Sequence, residues 1–305
     1  MINLNRIFCP IDFSAFSEHA LKYAMILAAQ YNARLQVAHV MPPLPPSSVN
    51  ELAAASRTLS KKNLNAMIER CRVSGTDVSA ALVESAEPAA RILELADSFN
   101  ADLIVTGSHG RTGYQRVLVG SVVEALLHKS TRPILTIPCH LEARPGAVAP
   151  FVRIVCAVDF AHASLNALAQ ALALAEEADG HLTVLHVIDM PPELQHAPQP
   201  PDCDITGIRA ETEAVCRTRL RSLIPKGAHD YCTIDVAVLE GGVSRQILRM
   251  AADRRADLIV LGVHGRDVFD LAFFGSNSRD IIRQAHCPVL TVPVARRLGS
   301  LKTAS

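Results

Sequence analysis

The chain has 305 residues, 49% of them hydrophobic, with Lys plus Arg equal to Asp plus Glu at 30 each, so its formal net charge is zero. That balance supplies no field to steer it toward nucleic acid or an anionic membrane. With no tryptophan and 4% aromatic residues it also lacks the stacking platforms that hold single-stranded nucleic acid.

No apolar run approaches the ~18 residues of a membrane span. The opening Met-Ile-Asn-Leu-Asn-Arg-Ile-Phe-Cys-Pro has no basic stretch followed by an apolar signal core. A cytoplasmic protein with neither membrane nor nucleic-acid partners is therefore expected. Eight cysteines contain no C-x-x-C pair, and Cys9 and Cys156 fall inside apolar runs, which predicts reduced, structural thiols.

In chain order, Arg6–Asp12 reads as a first strand, followed by a helix capped by Ser14 or Ser17 with Ala20, Leu21, Ala24, Leu27, Ala28 and Tyr31 on one face. Arg34–Val40 is a second strand, and Met41-Pro-Pro-Leu-Pro-Pro-Ser-Ser after it is a loop, since proline removes backbone donors. A helix over Ser48–Arg72, a strand over Asp77–Glu84, a helix over Pro88–Phe99 and a strand over Asp102–Thr106 follow. Helix Ser121–His128 and strand Ile134–Ile137 close the unit.

The pattern then repeats. Ile7, Cys9, Asp12, Phe13, His39 and Val40 recur as Ile154, Cys156, Asp159, Phe160, His186 and Val187, each 147 positions later. Gly107, Gly110, Gly120 and Ser121 recur as Gly262, Gly265, Gly275 and Ser276, each 155 later, so the second unit has gained eight residues (155 − 147). Pro138 to Pro150 carries three prolines and no helical period. The expected division is a first domain over 1–140, a linker over 141–150 and a second domain over 151–305.

Strands alternating with helices imply right-handed crossovers and parallel sheets covered on both faces. Such a sheet opens a crevice outside the carboxyl ends of its strands, where Asp12 and Gly107 should meet. The last strands, Ile134–Ile137 and Val289–Val292, would be bare edges and are expected to pair, within one chain or across a homodimer.

Each unit carries G-x-x-G, nine residues, then G-S, after the runs Ala-Asp-Leu-Ile-Val-Thr and Ala-Asp-Leu-Ile-Val-Leu. Glycines let backbone amides approach a ligand, and Ser121 and Ser276 read as N-caps of a following helix whose positive end suits a phosphate. In this spacing and placement the chain resembles the universal stress protein family, with two of its domains in tandem. The resemblance implies an α/β fold of two tandem, doubly wound, Rossmann-like parallel five-stranded sheets in the order 3-2-1-4-5, with helices on both faces.

It further implies that an aspartate, here Asp12 and Asp159, a strand-two valine, here Val40 and Val187, and the glycine loop hold the adenosine of ATP. Pro10 stands beside that aspartate. Gly107, Gly110, Gly120, Ser121 and Val122, with Gly262, Gly265, Gly275 and Ser276 in the second unit, would contact ribose and phosphates. Arg111 adds positive charge. His109, in the middle of its loop, either packs there or reaches a phosphate, and Mg²⁺ would arrive with the nucleotide.

The second loop differs, with Asp267 in place of Thr112, Asp270 in place of Gln115 and Asn277 in place of Val122. Two added acids oppose a triphosphate, so tighter binding is expected in the first unit. Ala86 stands where the family commonly has glycine. With no G-x-S-x-G elbow and no G-x-x-x-x-G-K-[ST] loop, catalysis has no motif behind it. A stress-response regulatory protein that binds ATP and meets an unidentified protein partner is the leading expectation. The alternatives are a nucleotide-free interaction scaffold with vestigial sites and a weak ATP hydrolase or self-phosphorylating protein.

Overall fold

A computed structural model describes residues 4–43, 50–73, 75–108, 119–138, 151–189, 205–263 and 276–294. The linker expected at 141–150 and most of both glycine loops, including His109, Gly110, Arg111, Gly265 and Gly275, lie outside the described residues.

The first half runs β1 (Arg6–Ile11), α1 (Ala15–Tyr31), β2 (Arg34–Met41), α2 (Asn50–Val73), β3 (Val78–Glu84), α3 (Pro88–Ser98), β4 (Leu103–Gly107), α4 (Ser121–Lys129) and β5 (Ile134–Ile137). The second runs β6 (Arg153–Ala157), α5 (His162–Glu177), β7 (His181–Asp189), α6 (Ile205–Ser222), a 3₁₀ turn (Lys226–Asp230), β8 (Thr233–Gly241), α7 (Val243–Asp253), β9 (Leu258–Val263), α8 (Ser276–Gln284) and β10 (Val289–Pro293). The expected elements are present with ends that differ by one or two residues.

Each half is parallel with the order 3-2-1-4-5, as β3-β2-β1-β4-β5 and β8-β7-β6-β9-β10. The two expected sheets are, however, one. β5 and β10 pair antiparallel within the chain, Leu135 opposite Leu290 and Thr136 opposite Val289, giving a continuous ten-stranded sheet.

Alternate strand residues point to opposite faces, so two core layers form. Ile7, Cys9, Leu35 and Leu135 pack under α1 and α2, together with Ile154, Leu182 and Leu290 under α5 and α6. Phe8, Ile104, Ile134, Val155 and Val289 pack on the other face, under α3, α4, α7 and α8. Neither layer stops at the seam. Thr291 Oγ1 donates to the Ile134 carbonyl at 3.2 Å, and Arg279 on α8 meets Glu124 on α4 at 2.5 Å.

Three matched pairs of residues with positive φ mark the duplication: Phe13 and Phe160, Asn32 and Asp179, Asn100 and Arg255. Asn32 is a left-handed C-cap whose N–H bonds the Ala28 carbonyl, the common way for a helix to stop. Asp102, in the repeated Ala-Asp-Leu-Ile-Val run, accepts the Asn5 and Arg6 amides at 2.9 Å, and Asp257 accepts that of Arg153. These carboxylates fasten the start of β1 to β4 and of β6 to β9. Cys9, Cys71, Cys156, Cys232 and Cys287 are buried, and burial pushes the Cys287 thiol up to about 12.

Gly107 and Gly262 carry out a packing task. A Cβ on Gly107 would lie 2.9 Å from the Phe16 carbonyl oxygen in the first turn of α1. One on Gly262 would overlap the Ala163 carbonyl and the Ser164 nitrogen in α5. Because backbone on both sides must give, Gly107→Ala should cost about 1–3 kcal/mol and Gly262→Ala more, read from urea unfolding midpoints. At the seam, Leu135→Ala should remove about 2–5 kcal/mol. Because the core layers are continuous, calorimetry of that variant should still show one transition at a lower temperature. Two separated transitions would mean that the halves unfold independently.

Candidate functional site

In the first half β1 lies between β2 and β4, the point at which the chain's crossovers reverse direction across the sheet. There the ends of β1, β2 and β4 and the first turn of α4 enclose a cavity of about 210 Å³. Its wall contains Pro10, Asp12, Val40, Gly107, Gly120, Ser121 and Val122, residues more than 100 positions apart in the chain. Ser17, Thr106, Pro88 and Ile92 also line it. The chemistry of this wall is graded, with Val40, Pro88 and Ile92 supplying an apolar side while Asp12, Ser17 and Ser121 supply hydrogen-bonding groups.

Asp12 stands one residue past β1, in a turn it organises itself. Its Oδ1 accepts the Ser14 amide at 3.0 Å and the Ser14 hydroxyl at 2.5 Å, and its own amide donates to Ser17 Oγ at 3.3 Å. Ser14 in turn caps α1, its Oγ accepting the Ser17 amide at 3.2 Å. Both serines thus serve the helix start, Ser14 as the cap and Ser17 as a buried brace. Asp159 repeats the arrangement, accepting the Ala161 amide at 2.9 Å and donating to Ser164 Oγ at 3.2 Å.

The residue after each aspartate is strained. Phe13 has φ 63° and Phe160 φ 65°, a region costly for a bulky side chain. Each ring leans on the strand-two histidine, at a centroid distance of 4.3 Å from His39 and 4.7 Å from His186. Nδ1 of His39 bonds the Ile11 carbonyl at 2.8 Å and that of His186 bonds the Val158 carbonyl at 2.7 Å. A carbonyl can only accept, so each Nδ1 carries the proton. The histidines fasten the ends of β1 and β6 to β2 and β7, and the phenylalanines are held over by them. In the second half the Arg219 guanidinium also lies 4.1 Å over the Phe160 ring.

The start of α4 corrects one expectation. Gly120, not Ser121, is the N-cap, with extended backbone and its carbonyl accepting the Glu124 amide at 2.9 Å. Ser121 is the first helical residue, one step past the capping position, and is exposed at the cavity mouth. The Gly120 amide bonds the Ser108 carbonyl at 3.2 Å, and Ser108 bonds Ile137. By helix geometry the amides of Ser121, Val122 and Val123 have no intrahelical carbonyl to bond.

In the second half Asp159 follows β6, Val187 lies in β7, Gly262 in β9, and Ser276 begins α8. Among the described residues no group of three His, Cys, Asp or Glu side chains is arranged to hold a metal ion, and no helix is long and apolar enough to cross a membrane. Sequence reasoning missed the Phe13 strain and the bracing by Ser17 and Ser164. The signal for the serines was present, because they too are 147 residues apart (164 − 17).

The family model of the Universal stress protein family matches this chain twice, over residues 3–138 and 150–293. Universal stress protein MJ0531 of Methanocaldococcus jannaschii is 30% identical over 151 residues, covering 47% of this chain and 82% of that protein. A universal stress protein of Mycolicibacterium smegmatis is 25% identical over 296 residues, 92% of this chain and 95% of its own length. Among solved structures, a universal stress protein from Archaeoglobus fulgidus superposes with a TM-score of 0.69 at 20% identity, covering 96% of this chain and all of that one. Two matched copies of one domain over nearly the whole chain place it in the universal stress protein family, as a tandem member.

Proposed function

We propose that the first half binds an adenine nucleotide, ATP, in the cavity between β1, β4 and α4, and that the protein acts as a nucleotide-responsive regulatory module without turnover. One observation carries the reading: an aspartate, an apolar wall and the opening turn of a helix converge on a single space at the switch point of the sheet. The groups fit the ligand. Val40, Pro88 and Ile92 suit the flat apolar faces of the base. The Asp12 carboxylate, oriented by Ser14, suits ribose hydroxyls as donors.

The phosphates would lie at the α4 N-terminus, where the amides of residues 121–123 and the positive end of the helix favour negative charge. The exposed Ser121 hydroxyl adds one donor. Mg²⁺ would be carried in on the phosphate oxygens with water completing its shell. In this reading the glycine spacing has two uses: Gly107 lets α1 approach β4, and Gly120 turns the chain into α4. The second half retains Asp159 and Ser276 but brings Asp267 and Asp270 to its loop, so its affinity is lower.

Binding would stabilise the liganded state by mass action, which makes occupancy a report of nucleotide level. Thermal-shift and calorimetric titration with ATP, ADP, AMP and cyclic AMP tests this. The expected result is an upward shift with ATP that saturates first at one site per chain. Gly120→Asp is the informative variant. Its backbone has φ −59°, open to any residue, and aspartate is a good N-cap, so the fold should hold or gain stability. A carboxylate at the phosphate position should nevertheless weaken ATP by at least about tenfold, or 1.4 kcal/mol. Gly275→Asp should leave the tighter site untouched. A chain whose melting is indifferent to all four nucleotides would instead be an interaction scaffold.

A further inference from the structure

On one face of the sheet, over the β5–β10 seam, α1 of the first half and α5 of the second border a second cavity, of about 500 Å³. It is lined by residues that correspond under the internal repeat, Leu27 with Leu174 (174 − 27 = 147) and Leu135 with Leu290 (290 − 135 = 155), along with Phe151 and Leu258. The cavity therefore straddles the local two-fold relation between the halves, and neither half forms it alone. Its size is that of ordinary small-molecule pockets, and its walls are mainly aliphatic.

The charged groups at its edge already have protein partners. Arg132 Nε donates to Asp97 at 3.1 Å and its Nη1 to the Ala101 carbonyl at 2.5 Å. Asp102 accepts two backbone amides, and the Tyr31 hydroxyl is bonded to Glu177 on α5. A charged ligand would lose its hydration and gain no counter-ion here. The exposed Gln170 amide at the mouth offers one place for a neutral hydrogen-bonding group.

We infer that the seam cavity is a ligand site, distinct from the nucleotide cavity, for one neutral, largely hydrocarbon molecule bearing a single hydroxyl or carbonyl. Occupancy would fasten α1 to α5 and hold the two halves together. The stoichiometry is one per chain, because the site lies on the axis between the halves.

Fluorescence titration of the full chain with N-phenyl-1-naphthylamine, a neutral apolar probe, tests it. Saturable binding at one probe per chain is expected, displaced by decan-1-ol and not by decanoate or ATP. Ala173→Phe, which fills the space from α5, should weaken the probe at least tenfold while leaving the ATP response unchanged. Should that variant fail to fold, Gln170→Trp closes the exposed mouth without entering the core and should give the same loss. The inference is overturned if the wild-type chain shows no saturable binding or if neither well-folded variant changes it. It also fails if decanoate competes as well as decanol, or if the probe binds only after residues 295–305 are removed. ATP binding can succeed or fail independently of each of these results.

Discussion

The antiparallel ladder between β5 and β10 is the constraint on which the rest of the molecule depends. A parallel five-stranded sheet ends in an open row of amides and carbonyls at its last strand, and here each half satisfies the other's. Once Leu135 and Leu290 face each other across that ladder, the aliphatic layers on both faces of the sheet become continuous. Their helices flank the seam, α1 and α5 on one face, while on the other Arg279 of α8 is ion-paired with Glu124 of α4. Reversal of strand direction at the ladder also fixes where the crevices lie. The carboxyl ends of β1 and β4 point one way and those of β6 and β9 the other.

Within each half, a second constraint acts at the carboxyl end of the first strand, in the short turn that leaves it. An aspartate, a phenylalanine held at positive φ, and a capping residue occupy three successive positions. The strand-two histidine holds the strand end through its Nδ1 and the phenylalanine through its ring. This network is what aims the carboxylate. The strain at Phe13 is sustained because packing and hydrogen bonds on every side specify the turn, and its recurrence at Phe160 shows that the geometry belongs to the domain rather than to one accident of packing.

Most of the architecture was legible in the residues. The offsets of 147 and 155 located the duplication, and the apolar runs bounded by proline and glycine located the strands. The direction of the seam was not legible, since Ile-Leu-Thr-Ile and Val-Leu-Thr-Val suit a parallel and an antiparallel neighbour equally. Gly107 and Gly262 were read for their amides, and the structure shows a reason that sequence cannot separate from that one, the approach of a helix backbone. Ser121 was read as a cap because serine is common there. Glycine at 120 fills that role by conformation instead, which shifts the serine one step into the helix. Phenylalanine at positive φ runs against its own preference, so no local rule could have announced it.

A covalent tandem arrangement has a consequence for how such a protein diverges. When two identical units meet edge to edge, any change in one is copied in the other, and a substitution that harms a pocket harms both. Here the joining edge is shared between two segments of one polypeptide that mutate separately. The second segment carries acids at positions 267 and 270, where the first has Thr112 and Gln115, while its edge strand stays in register with the first. The joining edge and the loops of each half are thus set by different stretches of one sequence, so the loops can differ while the edge stays paired.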